Sequence, residues 1–267
     1  MIGLRDRDLR NEGLFVAEGR LLVERAIASS CAVIGLCTDA AAAEDARLLC
    51  ADTIPLTICS SEELDRIAGF PFHRGMFALA ERPSIPLTST LIPSLSAHPA
   101  LYAQPLSIRK ILVLPAITDP GNLGALFRSA SAFSYDLVCL GEQSCDPFNR
   151  KVLRASMGAI LSMPICTAHP EDLGLISGYG IPILAAAMEE QAVIAGNYSV
   201  SGDSHALVLG NEYEGIPAKW RERCSLAISI PVSPDVDSLN VAIAGSILMW
   251  ELSRQAFPLP STEVLRP

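Results

Sequence analysis

Three short stretches of the chain stand out by the types and spacing of their side chains, and the first and third suit work on an anion. The first runs Asp119-Pro120-Gly121-Asn122 into a helical pattern and reads NxGxxxR, with Asn122, Gly124 and Arg128 at the fixed positions. The predicted apolar stripe is Leu123, Leu126, Phe127 and Ala130, so Arg128 falls beside the buried face. A guanidinium there suits either a bound carboxylate or phosphate, or a plain solvated ion pair. Asn122 at the helix start is either its cap or a polar contact for a substrate. The second stretch is Leu207–Pro217, where a buried strand breaks at Gly210 into Asn211, Glu212, Glu214 and Gly215. Taken alone it is an ordinary loop between a strand and a helix. In the third, a strand ends at Ile230-Pro231 and Ser238-Leu239-Asn240 leads into an apolar helix, both a cap and an anion site. All three follow the carboxyl end of a predicted strand, where open parallel sheets bind ligands.

Other chemistries lack their residues. No GxGxxG opens a helix after a strand, and no GxxxxGK[ST] or GxSxG occurs. His73, His98, His169 and His205 are scattered without metal-ligand spacing, so no metal site is expected. With 20 basic against 29 acidic side chains the net charge is −9, which argues against indiscriminate nucleic-acid binding but not against a local basic site. No run reaches 18 apolar residues, so no membrane span is expected, and the opening residues do not read as a signal peptide. The eight cysteines lie in apolar runs without CxxC spacing and read as buried free thiols of a cytoplasmic protein.

The elements that must position these residues follow from the apolar pattern. Short apolar runs at 111–115, 137–140, 163–166, 181–187, 206–209 and 226–230 predict strands of a parallel sheet buried on both faces. Helices are expected at 123–133, 151–161, 217–223 and 239–255. Before them, short strands and helices alternate over residues 13–80, with Ser60 and Ser61 at a cap position. The first fifteen residues carry Arg5, Arg7 and Arg10, neutralised by Asp6 and Asp8, and read as a solvated arm. Glu81–Arg109 holds five prolines and few charges, which predicts a linker with a short helical turn near 87–95. The division is thus an N-terminal domain at 1–82, a linker at 83–108, a second domain at 109–258 and a tail at 259–267.

In this order, DPGNLGALFRSASAF, LGNEYEG and IPVSPDVDSLNVAIA resemble the three motifs of the SpoU (TrmH) family of RNA ribose 2′-O-methyltransferases, in the SPOUT superfamily. KVLRASMGAILSMPI, FVAEGRLLVERAI and FHRGMFA are similar to the family's ribosomal-RNA branch. Gly121, Ser134-Tyr135 and Asn149-Arg150 depart from its usual residues.

The resemblance implies an α/β fold: a C-terminal SPOUT domain with a parallel sheet and deep trefoil knot, and a small N-terminal domain resembling a ribosomal-protein-type RNA-binding fold. It implies S-adenosyl-L-methionine as cofactor, held by Leu209, Gly210, Asn211, Gly215, Ile230, Pro231 and Leu239. It assigns catalysis to Arg128, with Asn122 positioning substrate and Glu212, Ser238 and Asn240 on functional positions. An arginine, protonated below about pH 12, is a poor base, so a clamp on phosphate and developing alkoxide is the better role for Arg128. Candidate RNA contacts are His73, Arg74, Arg150, Lys151 and Arg154. The implied partners are RNA, most simply ribosomal RNA, and a second copy in a homodimer. Transfer RNA as substrate, or a catalytically silent RNA-binding protein, are the alternatives.

Overall fold

The computed structural model describes residues 5–50, 53–97, 108–198, 204–211, 213–235 and 238–254. Glu212, much of the proline-rich stretch and the tail lie outside them. The chain divides into two compact units, Met1–Ile85 with Asp119–Arg128 and Cys145–Met163, and Pro86–Thr118 with Ser129–Ser144 and Pro164–Pro267.

The first unit begins with α1 (Asp6–Asn11), β1 (Leu14–Glu18), α2 (Arg20–Ala28), β2 (Val33–Thr38), α3 (Ala43–Cys50), β3 (Leu56–Ile58), α4 (Ser61–Ala68) and β4 (Met76–Glu81). Its sheet runs β1-β4-β2-β3, antiparallel except for the β2–β3 pair. Leu9, Val16, Leu64, Phe72 and Phe77 form one core cluster. Arg5, Arg7 and Arg10 are exposed, as expected of solvated charges, but residues 6–11 form a helix, α1, that buries Leu9. The cap at Ser60 is present as a full capping box. Its hydroxyl accepts from Glu63 N–H at 3.3 Å, and the Ser60 N–H donates to the Glu63 carboxylate at 2.8 Å.

The second unit and its insertions add α5 (Thr88–Ala97), β5 (Lys110–Leu114), α6 (Pro120–Ala132), β6 (Leu137–Leu140), α7 (Arg150–Ala155), β7 (Ile165–Thr167), α8 (Asp172–Gly178), β8 (Ile183–Ala186), β9 (Val193–Ile194), β10 (His205–Val208), α9 (Ala218–Arg221), β11 (Leu226–Ser229) and α10 (Val241–Ser253). The sheet order is β7-β6-β5-β10-β8-β11-β9, and every pairing is parallel, as expected from the apolar runs. The chain walks outward from β5 to β7, then returns to the far side of β10. That reversal of strand order opens a crevice at the carboxyl ends of the strands.

Two local expectations change. The proline-rich stretch is not wholly a linker. Leu87 bridges to Thr167, the Thr88 hydroxyl donates to the Thr167 carbonyl at 3.0 Å, and Ile92 is buried in the core. The helix expected over 151–161 is broken. Met157 and Gly158 take positive φ of 53° and 79°, so α7 stops at Ala155 and only a 3-10 turn follows at Ala159–Leu161. Ser134, which stands where the resembling family has a glycine-containing turn, sits at φ 55°. All eight cysteines are free, three buried and five partly so. Among the described residues no helix is long and apolar enough to cross a membrane.

His205 at the start of β10 is fully buried, and its Nε2 lies 2.7 Å from the Tyr135 hydroxyl. Burial, and then the nearby Lys110 ammonium, push its pKa down to about 4. The neutral ring is favoured in the fold, and the unfolded chain takes up the proton first, near its ordinary value of about 6.5. The stabilisation is present above that value and lost as pH falls toward 4. Wild type should lose about 2 kcal/mol between pH 7 and pH 5 from this group. His205→Phe should flatten that part of the urea-denaturation profile, and an equal pH dependence in both proteins would disprove the assignment.

Candidate active site

The carboxyl ends of β8, β10 and β11 and the start of α10 enclose a cleft of about 350 Å³. Leu209, Gly210, Asn211 and Gly215 form one wall, and Ile230, Ser238 and Leu239 another. Pro231 is not among its lining residues. The loop after β10 is tightly closed. The Asn211 carboxamide oxygen accepts from the N–H groups of Tyr213 and Glu214 at 3.0 and 2.7 Å, and the Asn211 carbonyl accepts from Gly215 N–H at 3.1 Å. A Cβ on Gly210 would lie 2.0 Å from the Gly215 carbonyl carbon, so only glycine lets these backbones meet. Across the cleft, Asn240 caps α10, its side-chain oxygen accepting from Ala242 and Ile243 N–H at 3.0 and 3.3 Å. Sequence reasoning missed the floor, where Ala186, Ala187 and Met188 line the cleft. Their small apolar side chains look like any strand end.

None of the described lining residues is charged. A ligand with an apolar ring and a net positive charge meets no repelling cation there, and the backbone groups at the strand ends supply its hydrogen bonds. S-adenosyl-L-methionine carries a net positive charge and a flat ring, and a mostly apolar lining without a described cation fits it.

α6 carries the first motif. Asp119, rather than Asn122, caps it: its carboxylate accepts from Asn122 N–H at 2.9 Å, and Pro120 takes the first helical turn. That hydrogen bond, and then Lys151 at 3.2 Å, hold the Asp119 carboxyl below its ordinary range. Leu123, Leu126, Phe127 and Ala130 are fully buried, as the stripe predicts. Arg128 is exposed, and among the described residues no carboxylate pairs with it. Gly124 lets α6 press on α7, since a Cβ there would come within 2.5 Å of the Ala155 Cβ. Beyond Arg128, the Ser129 and Ser246 hydroxyls meet at 2.7 Å and tie α6 to α10.

Residues 109–250 match the model of the SpoU rRNA methylase family. The chain belongs to that family. It is 31% identical over 252 residues to a tRNA/rRNA methyltransferase of Mycobacterium tuberculosis whose own activity is uncharacterised, spanning 91% of this chain and 82% of that protein. It is 31% identical over 205 residues to the 23S rRNA (guanosine-2′-O-)-methyltransferase RlmB of Ralstonia nicotianae, across 75% of this chain and 77% of that one. An rRNA methyltransferase structure from Sinorhizobium meliloti superposes with a TM-score of 0.79 at 22% identity, covering 95% of this chain and 92% of that one. As a SpoU methylase, the protein is an S-adenosylmethionine-dependent RNA methyltransferase.

The cations expected to hold RNA divide. Arg150 is a correction: it is buried, with Nε 2.9 Å from Asp6 and a terminal nitrogen 3.1 Å from Glu18. Glu18 is itself only 1% exposed and also binds Arg154 at 2.8 Å, with Arg74 at 3.9 Å. These arginines neutralise a buried carboxylate first, and Arg150, with its side chain only 10% exposed, has little surface left for a phosphate. Arg74, Lys151 and His73 are exposed, and Arg154 is half-buried. Removing the hub should be costly, because it leaves the buried Arg150 with Asp6 as its one remaining carboxylate partner among the described residues. Glu18→Ala is expected to lower unfolding stability in urea by about 3–5 kcal/mol. A loss below about 1 kcal/mol would mean that water screens the cluster.

Proposed function

We propose that this SpoU methylase transfers a methyl group to a ribose 2′-hydroxyl of ribosomal RNA. Two separate observations in a chain of this family support the reading: a cleft without a charged residue among its described lining, and an exposed Arg128 that no carboxylate pairs with among the described residues. The cofactor, when bound, supplies an electrophilic methyl on a sulfonium, a leaving group that needs no protonation. Leu209, Gly210, Asn211, Gly215, Ile230 and Leu239 hold it, and the apolar wall excludes water. Arg128 clamps the ribose–phosphate unit and stabilises the alkoxide that develops at the 2′ oxygen. Asn122 and Ser238 orient the substrate, Asn240 fixes the start of α10, and Glu212 serves from the loop after β10. The substrate half of the work falls to residues 1–82, joined through 83–108 to the methylase domain at 109–258.

The trefoil knot and the homodimer belong to the same reading. The knot is supported by the closed loop after β10 packing into one cleft with the segment before α10. The dimer is supported by α10, which exposes Ile243, Ile247 and Trp250 by 55%, 40% and 44% at helical spacing, while Leu248, Met249 and Leu252 on its other side are buried. The eight free thiols fit a reducing cytoplasm.

The test is methyl transfer from labelled S-adenosylmethionine to size-separated total RNA of a strain lacking the gene, with ribose-methylation mapping. Label at a ribosomal-RNA 2′-oxygen is expected. Label in transfer RNA would keep the chemistry and replace the substrate. No label in RNA or ribosomal subunits would refute the reading.

A further inference from the structure

The first unit contains a second cleft, of about 570 Å³, within the size range of ligand sites. It is lined by Arg5, Arg66, Phe70, Asn149, Lys151 and Arg154, among others. Its charge balance can be counted. Of the lining arginines, Arg150 and Arg154 are balanced by Asp6 and Glu18. Lys151 is offset by Asp119. Arg5 and Arg66 form no ion pair among the described residues, although the Arg66 charge, after the Ser60 hydrogen bonds, helps hold the nearby Glu63 carboxyl down, and they leave two positive charges. The cleft is therefore positive by about two charges in a chain whose net charge is −9, and such a reversal attracts anions.

Phe70 supplies the second observation. It is 39% exposed on the rim of a polar cleft, and the Arg150 guanidinium lies 5.9 Å from its ring centre. An exposed aromatic beside guanidinium groups is the arrangement on which unpaired bases stack. The cleft is also continuous with the first motif, because Lys151 reaches Asp119 at the start of α6 and α6 packs on α7 at Gly124.

We propose that this cleft holds an unpaired nucleotide of the RNA, its base on Phe70 and its flanking phosphates on Arg5, Arg66 and Lys151. The proposal rests on the RNA-methylating reading and adds the place where a single strand is gripped. The cleft thereby favours looped or single-stranded RNA over a duplex. Arg150 contributes by backing the ring rather than by touching phosphate.

Fluorescence anisotropy with a short labelled oligouridylate, an oligoadenylate and a hairpin duplex tests it on the full chain. Both single strands should bind more tightly than the duplex. Phe70→Ala should raise Kd about tenfold, Phe70→Trp should restore it, and the salt slope should not move. Arg66→Gln should instead flatten the slope of log Kd against log salt by about 0.7, the share of one phosphate contact. S-adenosylmethionine affinity should be unchanged in all three variants. Wild type binding neither strand, tighter binding of the duplex or of oligoglutamate, or variants that bind like wild type would each overturn the proposal. If wild type methylates RNA while Phe70→Ala and Arg66→Gln leave the KM for RNA unmoved, the cleft assignment fails and the methylase reading stands. If wild type methylates no RNA, that reading fails first.

Discussion

Arg128→Ala is expected to lower the methyl-transfer rate constant about 10²–10³-fold, the usual cost of removing one donor aimed at a developing oxyanion. S-adenosylmethionine affinity should be unchanged, because Arg128 does not line the cofactor cleft. Stability should also hold within about 0.5 kcal/mol, since the side chain is exposed and has no carboxylate partner among the described residues. Arg128→Lys separates charge from geometry. A lysine keeps the positive charge but loses the planar fork, so it should recover only part of the lost rate. Single-turnover methylation with calorimetry of cofactor binding measures both effects. Turnover of the alanine variant at the wild-type rate would remove Arg128 from the reaction.

Gly210→Ala should abolish cofactor binding at micromolar concentrations, a loss of about 100-fold or more. The new Cβ would meet the Gly215 carbonyl carbon and oxygen and the Ile216 nitrogen at 2.0, 2.1 and 2.3 Å. All three are backbone atoms, so no rotamer change relieves the overlap. The loop must open, breaking the Gly215 N–H to Asn211 carbonyl bond and moving the wall that faces the cofactor. Gly215→Ala gives the comparison: its Cβ would meet no protein atom, so the expected cost to the loop is about 1–2 kcal/mol of backbone strain at φ +67°, with a smaller loss of cofactor affinity because the residue lines the same cleft. Calorimetric titration of S-adenosylmethionine, with a thermal melt alongside, distinguishes a deformed loop from a lost fold. Wild-type affinity in Gly210→Ala would show that the loop adapts and that the close approach is dispensable.

Much of the scaffold was readable because it is written locally. The strands of the large sheet announce themselves as short apolar runs, since a parallel sheet buried on both faces tolerates nothing polar in its middle. The α6 stripe and the Ser60 cap follow from helix periodicity and from unsatisfied N–H groups. α8 was not readable: it carries Gly174 and Gly178, which weaken the helical signal, and packing holds it in place. Nor was the break at Met157 and Gly158, because KVLRASMGAILSM continues an apolar pattern through a turn set by two left-handed residues.

The three ordered motifs, by themselves, determined the family and with it the reaction and cofactor. They also placed Arg128 on a helix and the cleft-lining loops at strand ends. Tertiary structure alone decided what each charge does. Arg150 looked like a phosphate ligand, but Glu18, 132 residues away in the chain, takes its guanidinium. Asp119 rather than Asn122 caps α6, and residues 119–128 and 145–163 cluster with the N-terminal sheet. Periodicity and capping depend on neighbours within a turn or two, so sequence exposes them. Ion pairs, close backbone approaches and cleft walls join residues far apart in the chain, and only the closed fold selects those partners.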